Sequence, residues 1–203
     1  AASDVYKRQT VGIVLGGEQP GGDPYVVTGW QSDAKAFGER LRKAGFHVIS
    51  GRLSKEKTIE ILEMEELLGF VFVGHGGTDT GDLIIKFATD PKKEQNVTVA
   101  QKNYRSTLTR YNSQGEESGS VELHKLAFMY LYACYTGNKS QEKKPLPSAW
   151  VKNVSPRGHF VGFVGGVNSW NEAEQKYSSG SSPSFLPPPP RSCFDSDIIM
   201  PAH

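Results

Sequence analysis

A histidine and a cysteine each follow an apolar run that is typical of a buried strand. His75 comes after Phe70–Val73 in the stretch GFVFVGHGGTDTGDL, and Cys134 comes after Leu126–Tyr132 in LAFMYLYACYTG. A cysteine thiolate can attack a carbonyl carbon while an imidazole transfers the protons and backbone N–H groups hold the oxyanion. These residue types predict nucleophilic catalysis if the fold brings the two side chains together.

Glycines surround the histidine, and one of them suits the same chemistry. Gly76 would let a substrate backbone come close and would aim its own N–H at an oxyanion, with the amide of Cys134 as the second donor. A single cysteine at a strand end is more often a small buried hydrophobic residue. The occurrence of His75 and Cys134 at the ends of two strands favours a cysteine–histidine dyad instead.

Alternating strands and helices must supply the frame that positions these residues. Apolar runs predict strands near 11–15, 46–50, 70–73, 126–132 and 160–164. Three-to-four-residue spacing predicts helices from Ser32 to Gly45 and from Ser54 to Leu68, with a short helix at Ser148–Val154. This alternation predicts an α/β fold, a three-layer α/β/α sandwich with a mainly parallel central sheet. Loops beyond the carboxyl ends of such strands carry function, and His75 and Cys134 lie there.

Three segments lie outside this frame. Residues 1–9 (AASDVYKRQ) resemble a translated sequencing-adapter scar at the edge of a metagenomic reading frame, so we exclude them and expect the true N-terminus to be missing. Residues 178–203 are rich in Pro and Ser and are predicted to be a tail or linker. Residues 88–120 are predicted to be a polar insertion with little core of its own and at most one weak strand. The predicted foldable domain is therefore 10–177.

Composition excludes several classes of function. The chain has 203 residues and a formal net charge of +1, which suits one domain and gives no field that would attract nucleic acid or an anionic membrane. No apolar run approaches the length of a membrane span. Two cysteines, Cys134 and Cys193, are too few for a disulfide framework and predict a reducing, cytoplasmic setting, with Cys193 inert in the tail. No phosphate-loop motif and no zinc-ligand spacing occurs, so we predict no nucleotide site, no metal and no resident cofactor.

Four stretches resemble the caspase-like superfamily of cysteine peptidases, which includes caspases, metacaspases and CHAT-type domains. They are VGIVL, SDAKAFGERLRKAGFHV, FVFVGHGG and LYACYTG, spread over most of Val11–Trp170. GHGGTDTGD is similar to the metacaspase phrase that contains the histidine, and LYACYTG looks like the alanine-cysteine block of caspases and CHAT domains. The resemblance implies a thiol endopeptidase in which Cys134 is the nucleophile and His75 the general acid/base. The amides of Gly76 and Cys134 would form its oxyanion hole.

The resemblance also indicates candidate substrate-binding residues. Asp79 and Asp82 could bind a basic P1 side chain, orient His75 or ligate calcium, although aspartates beside a turn glycine are also common loop formers. Ser169 and Trp170 follow the last predicted strand, where the family walls its substrate groove, and ordinary packing is the alternative. The residues that flank the cysteine depart from the caspase and metacaspase patterns, so no P1 preference is implied.

Two functions of different kinds fit the sequence. One is a cysteine endopeptidase that cleaves a peptide or protein substrate through a thioester intermediate. The other is a non-catalytic caspase-fold scaffold or sensor module of a larger bacterial protein. The presence of both reactive residues favours the peptidase, and the resemblance leaves self-cleavage, calcium and dimerisation open as routes of activation.

Overall fold

The structure is a computed structural model that describes residues 10–19, 24–78, 80–137 and 148–163, with only the backbone described for 24–30. In chain order its strands are β1 (Thr10–Leu15), β2 (His47–Gly51), β3 (Leu67–Val73), β4 (His75–Gly76), β5 (Leu83–Lys86), β6 (Val97–Val99), β7 (Thr107–Tyr111), β8 (Glu117–Glu122), β9 (Leu126–Tyr132) and β10 (Val154–Val161). The helices are α1 (Pro24–Lys43), α2 (Lys55–Glu63) and a 3₁₀ helix at Ala149–Asn153. None of the helices in the described part of the chain is both long and apolar enough to cross a membrane.

Five strands form one parallel sheet at the centre of the molecule. Their spatial order is β10-β9-β3-β1-β2, and each neighbouring pair runs parallel. Strand β3 pairs directly with β9, from Gly69 opposite Phe128 to Val73 opposite Tyr132. The predicted α/β fold with a mainly parallel central sheet is confirmed. The two predicted strands that precede His75 and Cys134 are neighbours in this sheet.

Each face of this sheet has its own apolar core. Helix α1 covers one face, where Phe37 and Leu41 pack with Val71 and Val73. Helix α2 covers the other face, where its buried apolar residues pack with Phe70 and the rest of the second core. Alternate residues of β3 serve opposite faces because successive strand side chains point to opposite sides. Both faces are therefore buried, which explains why the strand runs are apolar throughout.

Helix α1 begins earlier than the predicted start at Ser32. It starts at Pro24, and Ser32 and Asp33 lie inside it rather than at its cap. Proline suits the first turn of a helix because its φ is fixed near the helical value and its missing N–H would have no partner there. The residues from Pro24 to Gln31, which precede the predicted helix, are therefore helical as well.

Helix α2 ends earlier than predicted, and β3 begins earlier, at Leu67. Arg105 donates its guanidinium hydrogen bonds to the carbonyl oxygens of Leu62 and Met64 at the end of α2. A positive side chain that binds the last carbonyls of a helix stabilises its carboxyl terminus. The stop signal thus comes from a residue about forty positions away in the chain, which local pattern does not reveal.

Residues 88–120 supply more of the core than the sequence led us to expect. Besides β6, this segment contains β7 and the start of β8, which form an exposed hairpin. Val99 and Tyr104 are buried, and Tyr104 stacks on the buried Trp150 with ring centroids 5.7 Å apart. Asn153 accepts hydrogen bonds from the N–H groups of Tyr104 and Arg105 at 2.7 and 3.1 Å. These contacts tie the segment to the 3₁₀ helix.

Limited trypsin digestion should separate the loose from the anchored parts of this segment. We expect early cleavage after Lys92 or Lys93, which are exposed between β5 and β6, and in the tail beyond 177. The bond after Arg105 should resist cleavage because this side chain is 0% exposed. Peptide mapping by mass spectrometry would check this, with digestion in urea as the control that exposes Arg105. Early cleavage after Arg105 under native conditions would contradict the description.

Candidate active site

The position of His75 is set by the junction between two sheets. Strand β3 ends at Val73, and the N–H of Gly74 donates to the carbonyl oxygen of Tyr132 at the end of β9, at 3.1 Å. The next two residues, His75 and Gly76, form β4 and pair antiparallel with β5. The histidine therefore lies directly beyond the carboxyl end of β3, at the edge of the sheet where β9 also ends.

Cys134 lies in a tight turn that begins as β9 ends. It is half-buried and forms no disulfide with another residue of the described chain. The following residue, Tyr135, has a φ of 60°. This value lies in the left-handed region, which residues other than glycine rarely adopt. Such backbone strain persists only where the surrounding structure imposes it, and it is concentrated at functional sites.

Gly76 touches the backbone of Cys134. A Cβ atom placed on Gly76 would lie 1.9 Å from the carbonyl oxygen of Cys134 and 3.0 Å from its nitrogen. No side chain fits there, so glycine is needed for this contact. We predicted that Gly76 makes room for a substrate backbone, whereas the structure fills the space above it with the Cys134 backbone. The residue next to His75 and the cysteine are therefore in direct contact.

Replacing Gly76 by alanine should strongly destabilise the protein. The added methyl group collides with the Cys134 carbonyl, and overpacking costs about 1–3 kcal/mol or more in the free energy of unfolding. Gly45→Ala is the matched control: Gly45 has a φ of 92° and nothing within 4 Å of its Cβ position, so it loses about 1–2 kcal/mol to left-handed strain alone. Urea denaturation and the alkylation rate of Cys134 measure both effects. We expect only Gly76→Ala to change the thiol, and an unchanged stability of Gly76→Ala would contradict the contact.

The end of β1 joins the same cluster through two more glycines. The N–H of Gly16 donates to the carbonyl oxygen of Val73 at 2.8 Å. A Cβ on Gly74 would lie 2.9 Å from the Cα of Gly16, and one on Gly16 would lie 2.9 Å from the carbonyl oxygen of Ile84. The carboxyl ends of β1, β3 and β9 can converge this closely because the contacting residues have no side chains.

The amide of Gly76 points away from β5. The N–H of Gly77 donates to the carbonyl oxygen of Asp82 at 2.8 Å. Hydrogen-bonded and non-hydrogen-bonded pairs alternate along an antiparallel ladder. The adjacent pair, Gly76 opposite Leu83, is therefore of the non-hydrogen-bonded kind. The Gly76 N–H is directed outward from this small sheet, which is the direction that donation to a bound group requires.

The imidazole of His75 is oriented by an aromatic ring. It packs edge-on against Phe87, with ring centroids 5.2 Å apart and an interplanar angle of 78°. Burial lowers the pKa of His75 below its ordinary value. Within the described residues no carboxylate forms a hydrogen bond or ion pair with His75, so Asp82 does not orient it there. The ring is accordingly neutral near pH 7 and able to accept a proton.

The titration of His75 gives a pH prediction. Because the folded protein holds the pKa of His75 below the unfolded value of about 6.5, the unfolded chain binds the proton first as the pH falls. The contribution of neutral His75 to the free energy of unfolding is thus complete above the unfolded pKa and is lost as the pH drops below that pKa. An NMR titration of the His75 ring should show a midpoint below 6.5, and Phe87→Ala should raise it by removing burial. A midpoint at or above the unfolded value would contradict the burial of the ring.

The remaining predicted residues are placed only in part. One carboxylate oxygen of Asp82 accepts a hydrogen bond from the N–H of Gln101 at 2.7 Å, which joins the turn before β5 to the segment after β6. This contact is of the loop-forming kind and engages one of the two carboxylate oxygens of Asp82. Asp79, Ser169 and Trp170 lie outside the described residues. Among the residues that the structure describes, no three His, Cys, Asp or Glu side chains gather into a metal-binding group.

Several residues that shape the site were not singled out in the sequence. Phe87 orients His75, Tyr135 carries the strained backbone, and buried Thr136 anchors the cysteine turn. Trp150 donates its indole N–H to the carbonyl oxygen of Gly81 at 2.9 Å. A Cβ on Gly81 would lie 2.4 Å from the carbonyl oxygen of Tyr135, so Trp150 supports the cysteine turn through Gly81. These are ordinary core residue types, and only their long-range contacts give them a role here.

The chain matches no protein-family model, and no curated protein matches it.

Proposed function

We propose that the protein is a caspase-like cysteine endopeptidase with Cys134 as nucleophile and His75 as general acid/base. The observation that carries the proposal is the backbone contact between Gly76, the residue that follows His75, and Cys134. The contact lies beyond the carboxyl ends of adjacent parallel strands, where α/β proteins bind their ligands.

The protonation state of His75 sets the order of proton transfers. A neutral imidazole takes the proton from the Cys134 thiol as the sulfur attacks the substrate carbonyl carbon. The imidazolium then gives this proton to the leaving amine nitrogen as the C–N bond breaks, which leaves a thioester. Water, deprotonated by His75, attacks the thioester and releases the acid, and the proton returns to the sulfur. Each half-reaction leaves His75 neutral.

The oxyanion would be held by two backbone donors. Two observations support the pairing of these two amides. The Gly76 N–H is directed out of the small sheet, and the residue Gly76 contacts the Cys134 backbone. Fixed backbone donors need no reorganisation as the negative charge develops, which makes them effective in the transition state. Asp79, Asp82, Ser169 and Trp170 remain the proposed substrate-binding residues, and the P1 preference is left to experiment.

A positional-scanning peptide library tests the proposal. The full chain is assayed with calcium and with EDTA, because the superfamily that the sequence resembles includes calcium-activated enzymes. We expect cleavage with a defined P1 preference, its loss in Cys134→Ala and its retention in the matched variant Cys193→Ala. Absence of cleavage in both conditions, with Cys134 no more reactive than an ordinary thiol, would favour the non-catalytic scaffold.

A further inference from the structure

The hydroxyl of Thr136 joins three backbone groups beneath the cysteine turn. Its oxygen lies 2.8 Å from the carbonyl oxygen of Ala133 and 3.1 Å from that of Leu131. It also accepts a hydrogen bond from the N–H of Phe163, just beyond β10, at 3.2 Å. Thr136 is 0% exposed. Both carbonyls are within hydrogen-bond distance of the hydroxyl, and the contact with Ala133 is the shorter.

The Ala133 carbonyl belongs to the same peptide unit as the Cys134 N–H. A trans peptide is planar, and its C=O and N–H point in opposite directions. Because the carbonyl is directed into the core toward Thr136, the Cys134 N–H is directed away from it. The hydroxyl thus fixes the plane of the peptide that carries the proposed oxyanion donor.

We infer that Thr136 is a positioning residue that aims the Cys134 amide at the oxyanion, an inference that rests on the proposed peptidase function. Thr136 is itself held from another strand. The N–H of Gly137 donates to the carbonyl oxygen of Phe163 at 2.9 Å. A Cβ on Gly162 would lie 2.9 Å from the Gly137 nitrogen, so the two segments are in close backbone contact. The aim of the amide therefore depends on β10 as well as on β9.

Variants that remove only the hydroxyl test this inference. Thr136→Val removes the hydroxyl and keeps the branched shape, Thr136→Ser restores the hydroxyl, and Thr136→Ala serves if the valine variant does not fold. Thr58→Val is the matched control, because Thr58 is also 0% exposed and donates its hydroxyl to the Ser54 carbonyl in α2, away from the site. The readouts are kcat, KM and the rate of Cys134 alkylation by iodoacetamide.

We expect Thr136→Val to lower kcat on the order of 10²-fold, the usual effect of losing one oxyanion donor. KM and the alkylation rate should change less than about twofold, because alkylation forms no oxyanion. Thr136→Ser and Thr58→Val should keep kcat near that of the wild type. An unchanged kcat in Thr136→Val, or an equal loss of kcat and alkylation rate, would overturn the inference.

The amide signal of Cys134 separates this inference from the proposed function. In ¹H–¹⁵N spectra, the Cys134 cross-peak should move in Thr136→Val and stay in place in Thr136→Ser. If it does so in a protein that cleaves no peptide, Thr136 still orients the amide and the peptidase proposal is wrong. If the cross-peak does not move in Thr136→Val, the inference is wrong whatever the activity.

Discussion

Replacing Cys134 by alanine should abolish peptide hydrolysis and leave the fold intact. The sulfur is the proposed nucleophile, and no other group in the mechanism can form the thioester. The contacts that fix the turn come from the backbone of Cys134 and from Thr136, which the substitution keeps. Initial rates with the best library substrate and the thermal unfolding midpoint measure the two expectations.

Cys193→Ala is the control for the loss of a thiol elsewhere in the chain. It should retain wild-type rates. Residual hydrolysis in Cys134→Ala that grows with protein concentration and is absent from a mock preparation would contradict the assignment of the nucleophile. A Cys134→Ala variant that unfolds would instead indicate that the thiol is needed for packing.

Replacing His75 by alanine should lower kcat by about 10²- to 10⁴-fold, the usual contribution of general acid–base catalysis. Without the imidazole, the thiol proton and the leaving amine depend on water. Exogenous imidazole should restore part of the rate, since it can enter the space next to Phe87. Steady-state kinetics with and without imidazole measure the loss of kcat and the part of it that imidazole restores.

His159→Ala is a suitable control, because His159 is exposed on β10 and has no role in the proposed mechanism. It should behave like the wild type. If His75→Ala and His159→Ala are equally active, His75 is not the general acid/base. A loss in His75→Ala that follows a loss of thermal stability and is not rescued by imidazole would indicate a packing role.

The strands that position the site could be predicted from the sequence because they are buried on both faces. Phe70–Val73 and Leu126–Tyr132 are continuous apolar runs, and both were found in the sheet near the expected bounds. Their parallel pairing then placed the residues that follow them at one edge. The hairpin of β7 and β8 escaped prediction because its residues are mostly exposed and show no apolar alternation.

The details of the site were less accessible because they depend on contacts between distant segments. A glycine beside a histidine indicates a close approach, yet the sequence does not reveal that the approaching group is the Cys134 carbonyl. The strained φ of Tyr135 has no local signal, since tyrosine disfavours that conformation. The Thr136 hydroxyl is also held by the Phe163 amide, which is 27 residues away in the chain, so the local sequence does not reveal how Thr136 is fixed.

The most direct test of the proposed dyad is the alkylation of the two cysteines by iodoacetamide near pH 7, followed by mass spectrometry of the peptides that contain them. Cys193 serves as the internal reference in the same molecule. We predict that Cys134 reacts faster than Cys193 in the wild type because the neutral imidazole of His75 takes its proton. This advantage should disappear in His75→Ala and persist in His159→Ala. A Cys134 that reacts more slowly than Cys193, or at the same rate with and without His75, would contradict the dyad.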